Sequence, residues 1–248
     1  MGNGNTFKEI YRKYIVTDNF NEEKVYYRRH EYRYRYLMNI YSKLRKGHSD
    51  VLDIGGGQYG LLVQKMYGDC ATVADIENPK IFSYLQGNGV VTCSWDMCEQ
   101  FLTLAINRFD FIFFSEVLEH LPVPAYTIFK VLKRALKPGG IIICTVPNLT
   151  SLENIFSFIF NIPVFAYFKE PFLDEDAGHV IMYTKEHLAW QIEKAGFKQA
   201  DVKYKISMKY HKSILRNILF CVGFPLFIIP HFRTEILAII KEETNGAK

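Results

Sequence analysis

Short apolar runs alternate with amphipathic stretches through most of this chain. Residues 50–54, 71–76, 89–93, 109–114 and 141–146 each hold a β-branched, aromatic or aliphatic cluster closed by glycine, proline or a polar residue. Runs of that length and closure predict strands. The run Phe109-Asp110-Phe111-Ile112-Phe113-Phe114 is apolar almost throughout, as a strand buried on both faces of a parallel sheet must be. Helical spacing occupies the intervals at 61–67 and 125–136, and Lys137-Pro138-Gly139-Gly140 reads as a turn. Further on, 185–195 reads as a helix, and 200–206 and 235–240 as two last strands. Strands and helices alternating at this spacing predict an α/β fold with a parallel sheet and right-handed crossovers.

Ahead of the first strand the pattern changes. Residues 1–20 are polar with scattered aromatics and read as an irregular arm or a short helix. From 21 to 46 there is no Gly or Pro, and Tyr alternates with Arg. Helical spacing aligns Tyr26, His30, Tyr34, Leu37 and Tyr41 on one side. One reading is an amphipathic helix whose tyrosines pack on the domain while its arginines stay in water. Another has the helix closing over a ligand, with Arg33 or Tyr34 reaching in. Interleaved Arg and Tyr also suit RNA, although a single such helix is thin support. The arm is expected to span 1–46 and the main domain 47–248.

The chain has 248 residues, enough for one large domain with a sizeable core. Its formal net charge of +4 is too mild to imply nucleic acid, so DNA is not expected as a partner. The five cysteines form no Cys-x-x-Cys pair, and Met1 to Asn5 carries no signal-peptide character. A cytoplasmic protein with reduced thiols is expected. The 20 Phe and 16 Tyr ask for a local explanation.

The chemistry begins at Val51-Leu52-Asp53-Ile54-Gly55-Gly56-Gly57-Gln58-Tyr59-Gly60. A buried strand there feeds a glycine-rich loop into a helix N-terminus, where a ligand can approach the backbone closely. A dinucleotide fold would seat pyrophosphate on such a loop. The acid within it, Asp53, favours a ligand that brings its own positive charge. Asp75, with Ile76 after it, ends the second strand about 20 residues on, placed to accept the ribose hydroxyls of an adenosine. Asp96 suits an adenine amino group with Trp95 or Met97 against the ring, or equally the cap of a helix over 97–106.

These motifs, together with Phe109-Asp110…Glu116-Val117-Leu118-Glu119-His120, Leu136-Lys137-Pro138-Gly139-Gly140, Val146-Pro147-Asn148 and Gly178-His179…Tyr183-Thr184, resemble the class I S-adenosylmethionine-dependent methyltransferases. The order of the motifs is the family's over roughly residues 30–200. The resemblance implies a Rossmann-like, seven-stranded, mostly parallel sheet with an antiparallel last strand, and S-adenosylmethionine as cofactor. Gly55 and Gly57 would line its methionine portion, and Asp53 would help hold the ammonium group. Asp75 and Ile76 would take the ribose, Asp96 and Met97 the adenine, and Ser115 and Glu116 would flank the sulfonium. Tyr34 or Tyr59 could face that cation. Methyl transfer is an in-line displacement in which positioning does most of the work. A hydroxyl acceptor must also lose a proton, and His120 and His179 are the candidates.

Glu116, Glu119, His120 and His179 open a second possibility, a divalent ion that binds a diol and acidifies it. Small-RNA 2′-O-methyltransferases look similar at these positions and use such a metal. Structural or capping roles for the same residues stay open. Two apolar insertions, at about 150–178 and 207–232, fall on the active-site side of the family topology. Neither reaches the ~20 apolar residues of a membrane span. A lid over the acceptor, a peripheral membrane contact aided by nearby Lys and Arg, and a dimer patch are the alternatives. The expected reaction is O-methylation of a small molecule or glycan, a class that includes lipid- and nucleotide-linked sugars. An RNA 2′-O-methyltransferase and a non-catalytic nucleoside-binding domain are the rivals.

Overall fold

The structure is a computed structural model that describes residues 3–97, 106–164, 178–206 and 224–243. Two helices, α1 (Asn3–Tyr14) and α2 (Lys24–Leu44), precede a Rossmann-like unit. That unit runs β1 (Asp50–Ile54), α3 (Gln58–Tyr67), β2 (Cys70–Asp75), α4 (Pro79–Gly87), β3 (Val91–Ser94) and β4 (Phe109–Ser115). It continues with α5 (Ala125–Ala135), β5 (Leu136–Pro147), α6 (Leu152–Ile159), α7 (Lys185–Lys194), β6 (Gln199–Lys205) and β7 (Glu235–Lys241). The expected helix over 97–106 lies largely outside the described residues.

The seven strands form one sheet in the order β3-β2-β1-β4-β5-β7-β6, and β7 runs antiparallel to both its neighbours. Register then decides what meets at the carboxyl edge. Ile54 pairs with Ala74 and Phe114, and Ser115 pairs with Thr145. Because β7 is reversed, its first residue, Glu235, pairs with Pro147 at the end of β5. The glycine loop, Asp75, Ser115-Glu116 and Glu235 therefore share one edge.

Side-chain alternation along β4 divides the core. Ile112 and Phe114 face one side with α5 and α7, through Phe129, Leu132 and Ile192. Phe111 and Phe113 face the other, against Leu37 and Tyr41 of α2 and Leu62 of α3. Much of the tyrosine content is spent on this second side. Tyr11, Tyr27, Tyr34 and Tyr41 are all buried, and the Tyr11 hydroxyl donates to the Tyr27 carbonyl at 2.7 Å. Asp69 anchors the far end of α2: it accepts from the Tyr41 hydroxyl, from Arg45 Nη2 at 2.8 Å and from the Ser49 amide at 3.1 Å.

Three expectations change. The turn at 137–140 is absorbed into β5, whose pairing with β4 shifts register between Phe109 and Phe111. Gly139 has φ 78° there, and a Cβ on Gly140 would sit 2.9 Å from the Lys137 carbonyl, so the bulge demands glycine. The helix after the glycine loop starts at Gln58, a turn earlier than the apolar run suggested. The arginines of α2 do not all stay in water: Arg28 and Arg35 are exposed, but Arg33 is buried.

In the first insertion α6 leaves Phe158, Ile159 and Phe160 exposed. Residues 165–177 and 207–223 fall outside the described set, as do Lys209, His211, Lys212 and Arg216. No helix among the described residues is long and apolar enough to cross a membrane.

Because Asp69 keeps Arg45 and the Ser49 amide when one hydroxyl is removed, Tyr41→Phe is expected to cost only about 1–2 kcal/mol. Urea unfolding should show the midpoint falling with an unchanged slope.

Candidate active site

Asp53 sits one residue before the end of β1 with its carboxylate turned under the first turn of α3. Its Oδ2 accepts from the Gly60 amide at 2.8 Å. A Cβ on Gly60 would lie 3.3 Å from Asp53 Cβ and 2.9 Å from Val73 Cγ2, so glycine is what allows strand and helix to approach. Gly55 (φ 90°) and Gly57 (φ 84°) make the turn between them. Burial pushes the Asp53 carboxyl up to about 8, with the backbone amides of Gly60 and Tyr59 opposing.

Above this loop is a cavity of about 210 Å³ whose walls include Tyr34, Asp53, Gly55, Gly56, Ser115 and Glu116. The aromatic side is a stack: Tyr34 lies 4.9 Å from Tyr59, which is parallel to Phe113 at 4.8 Å. Arg33 projects from α2 into the same space. Its Nη1 is 2.7 Å from Glu116 Oε2 and 3.9 Å from Glu235 Oε2, and its Nη2 donates to the Tyr26 hydroxyl at 3.0 Å. Glu116 has φ 55°, a conformation that costs a non-glycine residue energy. Its other oxygen accepts from Thr145 Oγ1 at 3.0 Å, and Thr145 in turn meets Ser115 Oγ at 2.7 Å. Glu235 is fully enclosed, and burial pushes its carboxyl up to about 8 against the pull of Arg33.

Beyond Glu116 the chain makes a 3-10 turn over Leu118–His120. The Glu119 carbonyl accepts from the amides of Val180 (2.8 Å) and Ile181 (3.1 Å), and this brings His179 to the turn. The His120 and His179 rings meet edge to face at 5.1 Å. One ligand atom from each of Glu119, His120 and His179 lies within 4.8 Å of the others. Glu119 is 0% exposed, and neither carboxylate oxygen has a hydrogen-bond partner among the described residues. Burial first, and then Glu116, hold its carboxyl well above the usual range. His179 is pushed below the ordinary imidazole value by burial and by His120.

The residues singled out from the sequence are thus divided into three groups. Tyr34, Asp53, Gly55, Ser115 and Glu116 line the cavity. Gly57 does not: its Cα faces Leu85 and Val73, and Gly56 takes its place on the wall. Asp75, Ile76, Asp96 and Met97 lie along the same sheet edge but outside the cavity wall. Asp75 is half-buried and accepts from the Ile76 amide at 2.8 Å, while the Ile76 side chain is exposed. The Trp95 amide bonds to the Asp75 carbonyl at 2.9 Å, which keeps the neighbouring Asp96 close to it. Of the four proposed metal ligands, Glu119, His120 and His179 cluster and Glu116 turns to Arg33. Sequence reasoning missed Glu235, Tyr26 and Gln58. Glu235 carries a signal in hindsight, an acid opening an apolar strand whose reversed direction starts it at the site edge.

A seven-stranded sheet with one reversed strand and a glycine loop over a buried acid is the fold of the S-adenosylmethionine-dependent methyltransferases. A methyltransferase-domain family model matches residues 27–202, and the chain belongs to that family. Among solved structures, an S-adenosylmethionine-dependent methyltransferase from Archaeoglobus fulgidus is 20% identical, with TM-score 0.58 over 86% of this chain and 96% of that one. A possible histamine N-methyltransferase from Thermotoga maritima is 14% identical, with TM-score 0.56 and 95% of each chain covered. A phosphoethanolamine N-methyltransferase from Haemonchus contortus, in complex with S-adenosyl-L-methionine, is 15% identical, with TM-score 0.54 over 84% of this chain and 52% of that one. No curated protein matches.

The raised Asp53 carboxyl has a sign that can be measured. The folded chain keeps this proton up to about pH 8, whereas the unfolded chain releases it near 4. Its stabilising contribution is complete below about pH 4 and is lost as pH rises through 8. Between pH 5 and 8 the ligand-free protein is expected to lose more stability than Asp53→Asn, by up to about 1.4 kcal/mol per pH unit. Urea unfolding of both proteins across that range checks it.

Proposed function

We propose that this methyltransferase acts on a hydroxyl oxygen of a small molecule or glycan, with lipid- or nucleotide-linked sugars included in that class. The observation that carries this reading is the His120–His179 pair, which meets edge to face at the 3-10 turn that follows Ser115 and Glu116 of the cavity wall. A hydroxyl is a poor nucleophile until its proton has somewhere to go. His179, with its basicity lowered by burial, is neutral at pH 7 and able to receive that proton.

Bound S-adenosylmethionine supplies the methyl group on a sulfonium. The residues of this chain would bind and aim it: Asp53 would meet the ammonium group, Gly55 and Gly56 the methionine portion, and Asp75 the ribose hydroxyls. Asp96 and Met97 serve the adenine. Tyr34 and Tyr59 line the cavity with their neighbouring rings, and aromatic groups there favour a cation. Exclusion of water by this aromatic wall strengthens each polar contact.

A second reading is favoured by Glu119. Two buried carboxylate oxygens with no hydrogen-bond partner among the described residues, next to two imidazoles, are the donor set a divalent ion would take. Glu119, His120 and His179 would hold it, and its chemistry would be to acidify the acceptor hydroxyl. RNA as acceptor is disfavoured. Among the described cavity walls Arg33 is the one cation and it is already paired with Glu116, so no basic stripe is there to hold a phosphate backbone. The exposed Phe158, Ile159 and Phe160 support an acceptor with an apolar part, or a peripheral membrane contact that delivers it.

His179→Gln is expected to lower kcat about 10²- to 10⁴-fold while S-adenosylhomocysteine affinity stays within about twofold. Turnover of accepted hydroxyl compounds, with and without prior chelation, is the measurement. Loss on chelation with recovery on adding back a divalent ion selects the metal reading. Full activity of His179→Gln together with His120→Gln, untouched by chelator, would contradict both.

A further inference from the structure

Arg33 is the unusual group in this protein. It is 3% exposed, its Nε has no partner among the described residues, and it faces two carboxylates of unequal quality. Glu116 is close at 2.7 Å and hydrogen-bonded besides, while Glu235 stands off at 3.9 Å. The guanidinium nevertheless opens onto the cavity whose floor is the glycine loop. A zwitterionic methionine group entering there brings an ammonium, which Asp53 can neutralise once it releases its proton, and a carboxylate, which needs a cation. Among the described cavity walls Arg33 is the only one available.

Glu116, for its part, is held in a strained left-handed conformation. It stands two residues before the 3-10 turn that carries Glu119 and His120. It therefore lies between Arg33 and the catalytic cluster.

We infer that Arg33 exchanges partners on cofactor binding, taking the methionine carboxylate with its planar fork and releasing Glu116 toward the Glu119–His120–His179 cluster. This rests on the cofactor reading given above and adds to it a coupling. The acceptor side gains its second carboxylate only when the cofactor is in place, which couples the two sites. A bidentate guanidinium–carboxylate contact made in a dry cavity is strong and geometrically selective. The Arg33–Glu116 pair it displaces is a competitor already present in the ligand-free protein, and removing that competitor must strengthen binding.

The test compares S-adenosylhomocysteine with its decarboxylated form, which keeps the amine and lacks only the carboxylate, by calorimetric titration of the full chain. Wild type is expected to prefer the carboxylated ligand by about tenfold or more. Arg33→Lys, which keeps the charge but loses the fork, is expected to weaken S-adenosylhomocysteine about tenfold and to leave the decarboxylated ligand within about twofold. Glu116→Gln is expected to tighten S-adenosylhomocysteine about threefold or more. Equal affinity of wild type for the two ligands would overturn the inference without any variant having to fold. So would a Glu116→Gln protein that binds S-adenosylhomocysteine no more tightly than wild type, or an Arg33→Lys protein that loses both ligands equally. Failure of wild type to bind either ligand is a different result, which removes the cofactor reading and this inference with it.

Discussion

A guanidinium taken out of water must meet carboxylates, and the fold brings them to Arg33 from two separate parts of the chain. Glu116 comes from the residue after β4 and Glu235 from the first residue of the reversed strand β7. Burying such charges is costly, and removing one partner leaves the others uncompensated. The ion pair thus fixes α2 over the carboxyl edge of the sheet. It also explains why an N-terminal helix outside the Rossmann-like unit forms a wall of the cavity. The tyrosines of α1 and α2 supply the apolar packing that makes the position affordable, with Tyr34 continuing the stack onto Tyr59 and Phe113.

Everything else at the site follows from register. Parallel pairing of β1 with β2 and β4 levels the ends of those strands, so the glycine loop, Asp75 and Ser115 arrive on one edge. The bond from the Gly60 amide to Asp53 ties the loop to its strand. Hydrogen bonds from 180–181 to the Glu119 carbonyl carry His179 across to His120. The cavity wall and the Glu119–His120–His179 cluster are therefore joined through one short segment, 115–120.

The strands and the glycine loop were legible because their signals are local: apolar runs of fixed length, and glycines where φ is positive. β1 has the bounds the pattern predicts, and the mostly parallel sheet with a reversed last strand is the one the resemblance implies. What was illegible depended on tertiary contact. An alternation of Tyr and Arg on α2 leaves open whether its arginines stay in water or Arg33 reaches inward, since only the carboxylates across the gap decide that. Three adjacent glycines do not reveal that Gly56 faces the cavity while Gly57 packs on Leu85. The bulge in β5 reads locally as a turn, because Pro and Gly look alike in a loop and in a strand that changes register. Glu116 and Glu119 look equivalent as ligands three residues apart. The left-handed conformation at Glu116 sends its side chain toward α2 instead.

The central claim is that one cavity over the glycine loop holds the methyl donor with its adenosine along the edge marked by Asp75. A crystal structure of the protein with S-adenosylhomocysteine tests it most directly. The account predicts the methionine end over Gly55 and Gly56 and the ribose hydroxyls within hydrogen-bond distance of Asp75. At saturating ligand, an empty loop or a nucleoside bound away from Asp75 would contradict it.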